Sequence, residues 1–172
     1  MLVSVSILFL ALCYTAMLIH GYLAGDFMKT ILVPIIKNKT VDMQDKSNYR
    51  PIALATIMSK VFEIVILNRC KKFLSTSSNQ FGFKNGHSAD LCIFVLKQVL
   101  HSYRLKSSPV FICFLDASKA YDRVRHSKLF KSLVERKVPL YIVRILAFWY
   151  SKQIMCIQWD KVKSSVNDCM YL

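Results

Sequence analysis

The chain has 172 residues, which is enough for one domain with a sizeable core. Hydrophobic residues make up 54% and aromatic residues 12%. These fractions exclude an intrinsically disordered chain, because disordered chains lack the apolar surface that offsets chain entropy. With 24 Lys and Arg against 10 Asp and Glu, the net charge is +14. A folded chain this basic is expected to contact a polyanion, either nucleic acid or an anionic membrane.

The segment 1–25 contains no Asp, Glu, Lys or Arg, and its first 19 residues predict an apolar leading helix. One interpretation is a helix buried in the core. The alternative is a membrane span or the apolar part of a signal peptide. The lack of Lys or Arg before the apolar run argues against a signal peptide.

Three short apolar runs are typical of strands. The first, KTILVPIIK at 29–37, contains Pro34, which predicts a sheet edge or a bulge. The second, VFICFL at 110–115, is continuously apolar and predicts a central strand buried on both faces. The third is residues 154–159.

Amphipathic segments predict four helices, at about 56–74, 88–106, 127–136 and 140–150. Polar, turn-rich residues predict loops at 38–50 and 75–87. Strands and helices therefore mix in an α+β fold, with a sheet assembled from distant segments.

The cysteines contain no C-x-x-C pair and no His at zinc-finger spacing, which argues against a structural zinc site. Cys92 and Cys113 lie within apolar runs and are predicted to be small core residues. This usage predicts a reducing, intracellular compartment, either nucleus or cytoplasm.

Asp116 directly follows the predicted central strand, in the segment FICFLDASKAYDRV at 111–124. A carboxylate held at a strand end can bind a divalent metal. The same position is also typical of an Asp that caps a turn. The local pattern alone does not choose between these interpretations.

Four segments in order resemble the reverse transcriptases of non-LTR (LINE-like) retrotransposons. The segment at 111–124 resembles the LDxSKAFD motif, and VPIIKNKTVDMQDKSNYRPIAL at 33–54 resembles the fingers motif with its RPI signature. SKVFE at 59–63 follows, and then NQFGFKNGHSADLC at 79–92 resembles the QFGF segment. The resemblance covers about residues 18–160 and implies the fingers and partial palm of a polymerase right-hand fold.

The resemblance also implies roles for individual residues. Asp116 corresponds to the first metal-binding, catalytic aspartate, and Ala117 to the residue whose backbone carbonyl binds the same metal. Tyr121 occupies the aromatic position that excludes a sugar 2′-hydroxyl. Arg50 and Lys37 correspond to fingers cations that bind the triphosphate, for which the guanidinium fork of arginine is well suited. Asp122 is expected to be structural.

The family chemistry implied by the resemblance is nucleotidyl transfer by two Mg²⁺ ions, on an RNA template with a DNA primer and dNTP. No obligate protein partner is inferred. Family members also carry an RQG-like loop and an x-D-D hairpin with two further aspartates, which this sequence lacks; Asp168 lies in no such motif. We therefore expect fingers at about 26–107, a partial palm at about 108–172, an exposed apolar edge and no polymerase activity from this chain alone.

Two alternatives remain at this point. The chain could be a non-catalytic remnant that binds nucleic acid through its basic charge. It could also be a small membrane or secreted protein organised around residues 1–19, since anionic lipid attracts Lys and Arg as nucleic acid does.

Overall fold

A computed structural model describes residues 2–37, 42–118, 120–121, 123–164 and 170–171 of the chain. The helices are α1 (Leu2–His20), α2 (Ile57–Cys70), α3 (Ala89–Leu105), α4 (His126–Glu135) and α5 (Leu140–Lys152). The strands are β1 (Lys29–Ile36), β2 (Tyr49–Ala55), β3 (Ile154–Trp159), β4 (Val162–Lys163) and β5 (Met170–Tyr171). Short 3₁₀ turns occur at Gly25–Met28, Lys46–Asn48 and Lys71–Phe73. The predicted mixture of helices and strands is confirmed.

The chain divides into two compact units. The first comprises residues 1–73 and 127–172 and contains the sheet with α1, α2, α4 and α5. The second comprises residues 74–126 and contains α3 and the segment that ends at Asp116.

The sheet of the first unit has the strand order β2-β1-β3-β4, with β5 also paired to β3. β1 runs antiparallel to β2 and parallel to β3. β1 lies between β2 and β3, but its pairing with β3 ends at Leu32, whereas its pairing with β2 continues through Pro34 opposite Pro51. Among the described strands, Pro34 therefore lies where one edge of β1 is unpaired, as predicted, and no ladder bond to β3 is lost.

An aromatic cluster forms the centre of the first unit. The ring of Phe62 on α2 is fully buried and lies 5.0 Å from the ring of Tyr14, 6.0 Å from that of Phe27 and 6.0 Å from that of Trp149. These rings come from α1, α2, α5 and the turn before β1. Offset and edge-to-face contacts of this kind stabilise a core beyond the area that they bury.

The leading helix α1 packs by one side. Tyr14 and Leu18 are buried, and the Tyr14 hydroxyl donates to the Met58 carbonyl at 3.0 Å. Burial raises the pKa of the Tyr14 phenol, so that it stays protonated and able to donate. The remaining surface leaves large apolar side chains more than half exposed, among them Val5, Ile7, Leu8, Phe9, Leu12 and Ile19. The prediction of a buried helix is therefore correct for one side only.

None of the helices in the described part of the chain is long and apolar enough to cross a bilayer.

The end of α1 is held by Arg144 of α5. The Arg144 Nη2 donates to the Ile19 carbonyl at 2.5 Å, one of the last carbonyls of the helix, which lack partners within it. Gly21 follows with φ +66°, a left-handed conformation that ends helices and that glycine adopts without a steric penalty. A side chain at Gly21 would also collide with Arg144.

The segment at 110–115 does not form the central strand that the sequence predicts. These residues form neither strand nor helix, and Phe111, Phe114 and Leu115 are 94%, 80% and 94% exposed. Cys113 and Cys92 are exposed as well, so their prediction as core residues is also wrong. A continuous apolar run becomes a buried strand only where other strands supply hydrogen-bond partners on its edges. None of the described strands pairs with it.

Truncation of Phe62 is expected to be costly. Phe62→Ala should lower the free energy of unfolding by about 3–5 kcal/mol, because the other three rings cannot collapse into the space left behind. Ile64→Ala on the same helix, at a side chain that is 58% exposed, is the matched control and should change it by no more than about 0.5 kcal/mol. Urea denaturation followed by circular dichroism measures both. Equal effects of the two substitutions would contradict this account of the core.

Candidate functional site

The two predicted phosphate-binding cations lie on one hairpin. Arg50 of β2 is directly opposite Ile35 of β1, and Lys37 follows Ile35 by two positions. The pairing continues beyond the strand end, because the Lys37 amide donates to the Asn48 carbonyl at 2.8 Å. Side chains alternate between the two faces of a sheet, so Arg50 and Lys37 are on the same face. Diagonal neighbours of this kind have Cβ atoms about 7–8 Å apart, close enough for one phosphate group to contact both cations.

The electrostatic surroundings favour an anion at this hairpin. Arg50 and Lys37 are both exposed. The salt bridges found among the described residues join Lys29 to Asp26, Lys60 to Glu63 and Lys131 to Glu135. Arg50 therefore has no carboxylate partner within the described part of the chain, and its fork of N–H donors is open to a ligand.

β2 holds Arg50 through its direct connection to α2. Thr56 is the only residue between them; its side chain accepts from the Ser59 amide at 3.3 Å and caps the helix. The Ser59 hydroxyl in turn donates to the Thr56 carbonyl at 2.7 Å. Because α2 is anchored in the core by Phe62, the strand that carries Arg50 is held at its far end.

Asp116 and Ala117 lie in the second unit, with Tyr121 five residues beyond Asp116. All three are exposed, and Tyr121 is 77% exposed. Tyr121 closes a turn by accepting at its carbonyl from the Val124 amide at 3.2 Å. The strand that was predicted before Asp116 is not formed, and the role of Asp116 as a metal-binding carboxylate stays a prediction. Asp122 and Asp168 lie outside the described residues.

The two sets of predicted site residues belong to different units. Arg50 and Lys37 are in the first, and Asp116, Ala117 and Tyr121 are in the second. That Arg50 lies within reach of a common cleft with Asp116 and Tyr121 stays a prediction.

Asp116 and the Ala117 carbonyl are the predicted Mg²⁺ ligands, and both offer hard oxygen atoms, which suit this ion. A near-octahedral ion needs more, and no cluster of three or more His, Cys, Asp or Glu side chains that could hold a metal occurs among the described residues. Asp116 and Ala117 alone therefore do not complete a Mg²⁺ site.

Sequence reasoning missed the geometry that unites Arg50 with Lys37. Residues 38–50 were predicted to be a loop, whereas β2 begins at Tyr49. The signal that could have found it is the run YRPIALA, whose alternating bulky residues suggest a partner for the preceding strand.

Comparison with known proteins identifies the family. The sequence model described as reverse transcriptase (RNA-dependent DNA polymerase) matches residues 36–169. That range contains Lys37, Arg50, Asp116, Ala117 and Tyr121.

Three relatives illustrate the similarity. The probable RNA-directed DNA polymerase from transposon BS of Drosophila melanogaster is 32% identical over 78% of this chain. The Pol polyprotein of retrotransposable element R2 of Nasonia vitripennis is 23% identical over 87%, and the RNA-directed DNA polymerase from mobile element jockey of Drosophila funebris is 26% identical over 94%. The chain spans 15%, 14% and 18% of the lengths of these three proteins. The chain belongs to the reverse transcriptase (RNA-dependent DNA polymerase) family, and these relatives come from non-LTR retrotransposons.

Proposed function

We propose that this chain is the nucleotide-binding and template-binding part of a retrotransposon RNA-directed DNA polymerase. The observation that carries the proposal is the pair of exposed cations, Arg50 and Lys37, on one face of the β1–β2 hairpin within the matched region. Arginine binds two phosphate oxygens at once, and lysine adds a compact second charge. The pair suits phosphate groups, both in the triphosphate of a dNTP and in the backbone of a bound strand.

Asp116 is proposed as the first catalytic carboxylate. It is exposed, makes no salt bridge with the described residues, and lies in the segment that resembles the family motif. With the Ala117 carbonyl it would supply two oxygens to Mg²⁺, and Tyr121 would contact the sugar. The remaining ligands must come from elsewhere in a complete site.

The wider context of the proposal follows from the family. The two units would contribute to the fingers and part of the palm of a right-hand polymerase. The substrates would be an RNA template and a DNA primer with dNTP, and the compartment would be intracellular.

Binding without catalysis is the second candidate for the 172-residue chain itself. The net charge of +14 favours phosphate contacts that do not depend on a metal. No group of three or more His, Cys, Asp or Glu side chains that could hold a metal ion is found among the described residues. The two candidates differ in whether purified chain incorporates dNTP on a primed RNA template.

Arg50 provides the first test. Arg50→Ala should weaken binding of an RNA–DNA hybrid and should make the slope of log affinity against log salt shallower by about one unit, because one phosphate contact is lost. Lys29→Ala on β1 is the matched control, since the charge of Lys29 is already paired with Asp26 at 2.8 Å, and it should leave the slope unchanged. Fluorescence anisotropy over a salt series measures both. Identical slopes for wild type and Arg50→Ala would refute the phosphate contact.

Asp116 provides the second test. Asp116→Asn should leave hybrid binding unchanged or slightly tighter, because it removes a negative charge from a surface that faces phosphates. The unaltered 172-residue chain should bind hybrid and give no Mg²⁺-dependent primer extension. The assay is primer extension on an RNA template beside the anisotropy titration. Extension by the unaltered chain that disappears in Asp116→Asn would show that the chain holds a complete catalytic site.

A further inference from the structure

An aromatic pair at one end of the sheet is not explained by the phosphate site. The rings of Tyr49 on β2 and Trp159 on β3 lie 5.2 Å apart at an angle of 56°. Tyr49 is opposite Ile36, and Ile157, two residues before Trp159, is opposite Leu32. Because side chains alternate along strands, both rings are on the same face of the sheet.

The opposite end of this face is covered. Thr30 is only 4% exposed, and its hydroxyl accepts from the side-chain amide of Gln153 at 3.1 Å. Thr30, Ala55 and Trp149 line a cavity of about 300 Å³ between the sheet and the helices. At the end that carries the aromatic pair, Trp159 is 55% exposed.

Hydrogen bonds and strand pairing restrict the positions of the two rings. The Tyr49 hydroxyl donates to the Met43 carbonyl at 2.9 Å, which fixes the ring at its tip. Trp159 is in register with Val162 across a tight turn, and the Ile157 amide donates to the Ser164 hydroxyl at 3.1 Å. Groups fixed before binding lose little conformational entropy when a ligand arrives.

Cations accompany the pair. Lys161 lies two residues after Trp159, and Lys46 lies three residues before Tyr49, both exposed. The turn also contributes one acidic residue, Asp160. Arg50, next to Tyr49, and Lys163, in register with Gln158, are on the opposite face of the sheet. Exposed aromatic rings bordered by Lys and Arg are typical of surfaces that bind single-stranded nucleic acid.

We infer that the aromatic pair stacks against an unpaired nucleobase, with the indole of Trp159 as the contact surface and the surrounding lysines on the flanking phosphates. The ligand class is single-stranded RNA or DNA, because the bases of a duplex are already stacked on one another. The inference rests on the proposed function, since it supposes that this face of the chain meets a nucleic-acid strand.

The chain is suited to a direct spectroscopic test. It contains two tryptophans, of which Trp149 is 8% exposed in the core and Trp159 is 55% exposed. In a Trp149→Phe variant, all tryptophan emission comes from Trp159. Addition of a single-stranded oligouridine should quench that emission, and an equal concentration of blunt duplex should not. Equal quenching by both, or none by either, would overturn the inference.

Affinity measurements supply the second test. Trp159→Ala should weaken oligouridine binding about 5- to 150-fold, the usual effect of losing one stacked base, while duplex binding should change less than twofold. Trp159→Phe should retain most of the affinity, because it keeps a ring. Ile64→Ala on α2 truncates an apolar side chain that is 58% exposed and is the control; it should leave both affinities unchanged. Equal losses for single strand and duplex, or a loss in the Ile64→Ala control as large as in Trp159→Ala, would contradict stacking.

The salt dependence separates this inference from the proposed function. Trp159→Ala should lower affinity without changing the salt slope, because stacking releases no counterions, whereas Arg50→Ala should change the slope. If Trp159→Ala weakens single-strand binding as expected but Arg50→Ala leaves the salt slope unchanged, only the phosphate site is refuted. If Arg50→Ala changes the slope but Trp159→Ala leaves single-strand binding unchanged, only the stacking site is refuted. If Trp159→Ala altered self-association or binding to anionic vesicles instead of RNA binding, the surface would belong to another partner and the inference would fail.

Discussion

The buried ring of Phe62 is the contact on which the first unit depends. It touches rings from α1, α5 and the turn before β1, and so joins the beginning of the chain to its last third. A position with three aromatic neighbours tolerates little change in shape, because interiors are packed as densely as organic crystals. Phe62 thereby orients α2, and α2 continues directly from the strand that presents Arg50. The position of an exposed cation thus depends on an apolar contact in the next element.

The spacing of apolar residues in the sequence was sufficient to predict most of the helices and strands. α2 to α5, β1 and β3 lie close to their predicted positions, because apolar spacing reflects which side of an element is covered. β2 was missed because Pro51 and the polar residues before Tyr49 resemble a turn. The prediction of a strand at 110–115 was wrong for the opposite reason. Its composition is that of a central strand, but composition does not reveal whether a partner strand is available.

The candidate site, too, could be predicted only in part. Family motifs found Asp116, Arg50 and Lys37 individually, since each lies in a recognisable segment. That Arg50 and Lys37 share a face depends on the register Ile35 to Arg50, and a shift of one residue would have placed them on opposite faces. The contact between Tyr49 and Trp159 depends further on β1 lying between their strands. Register and strand order are long-range properties, which no local pattern specifies.

The parallel pairing of β1 with β3 has a consequence for how the chain folds. Lys29 is in register with Ile154, so the centre of the sheet closes only after the 124 residues between them have been synthesised and have left the ribosome. Until then the β1–β2 hairpin presents an unpaired edge, and such edges recruit other strands. Pairings this distant in sequence are slow to form, because a large loop must close before the contact is made. During that interval the inner edge of β1 can pair with strands of other chains, which makes the nascent protein prone to aggregate.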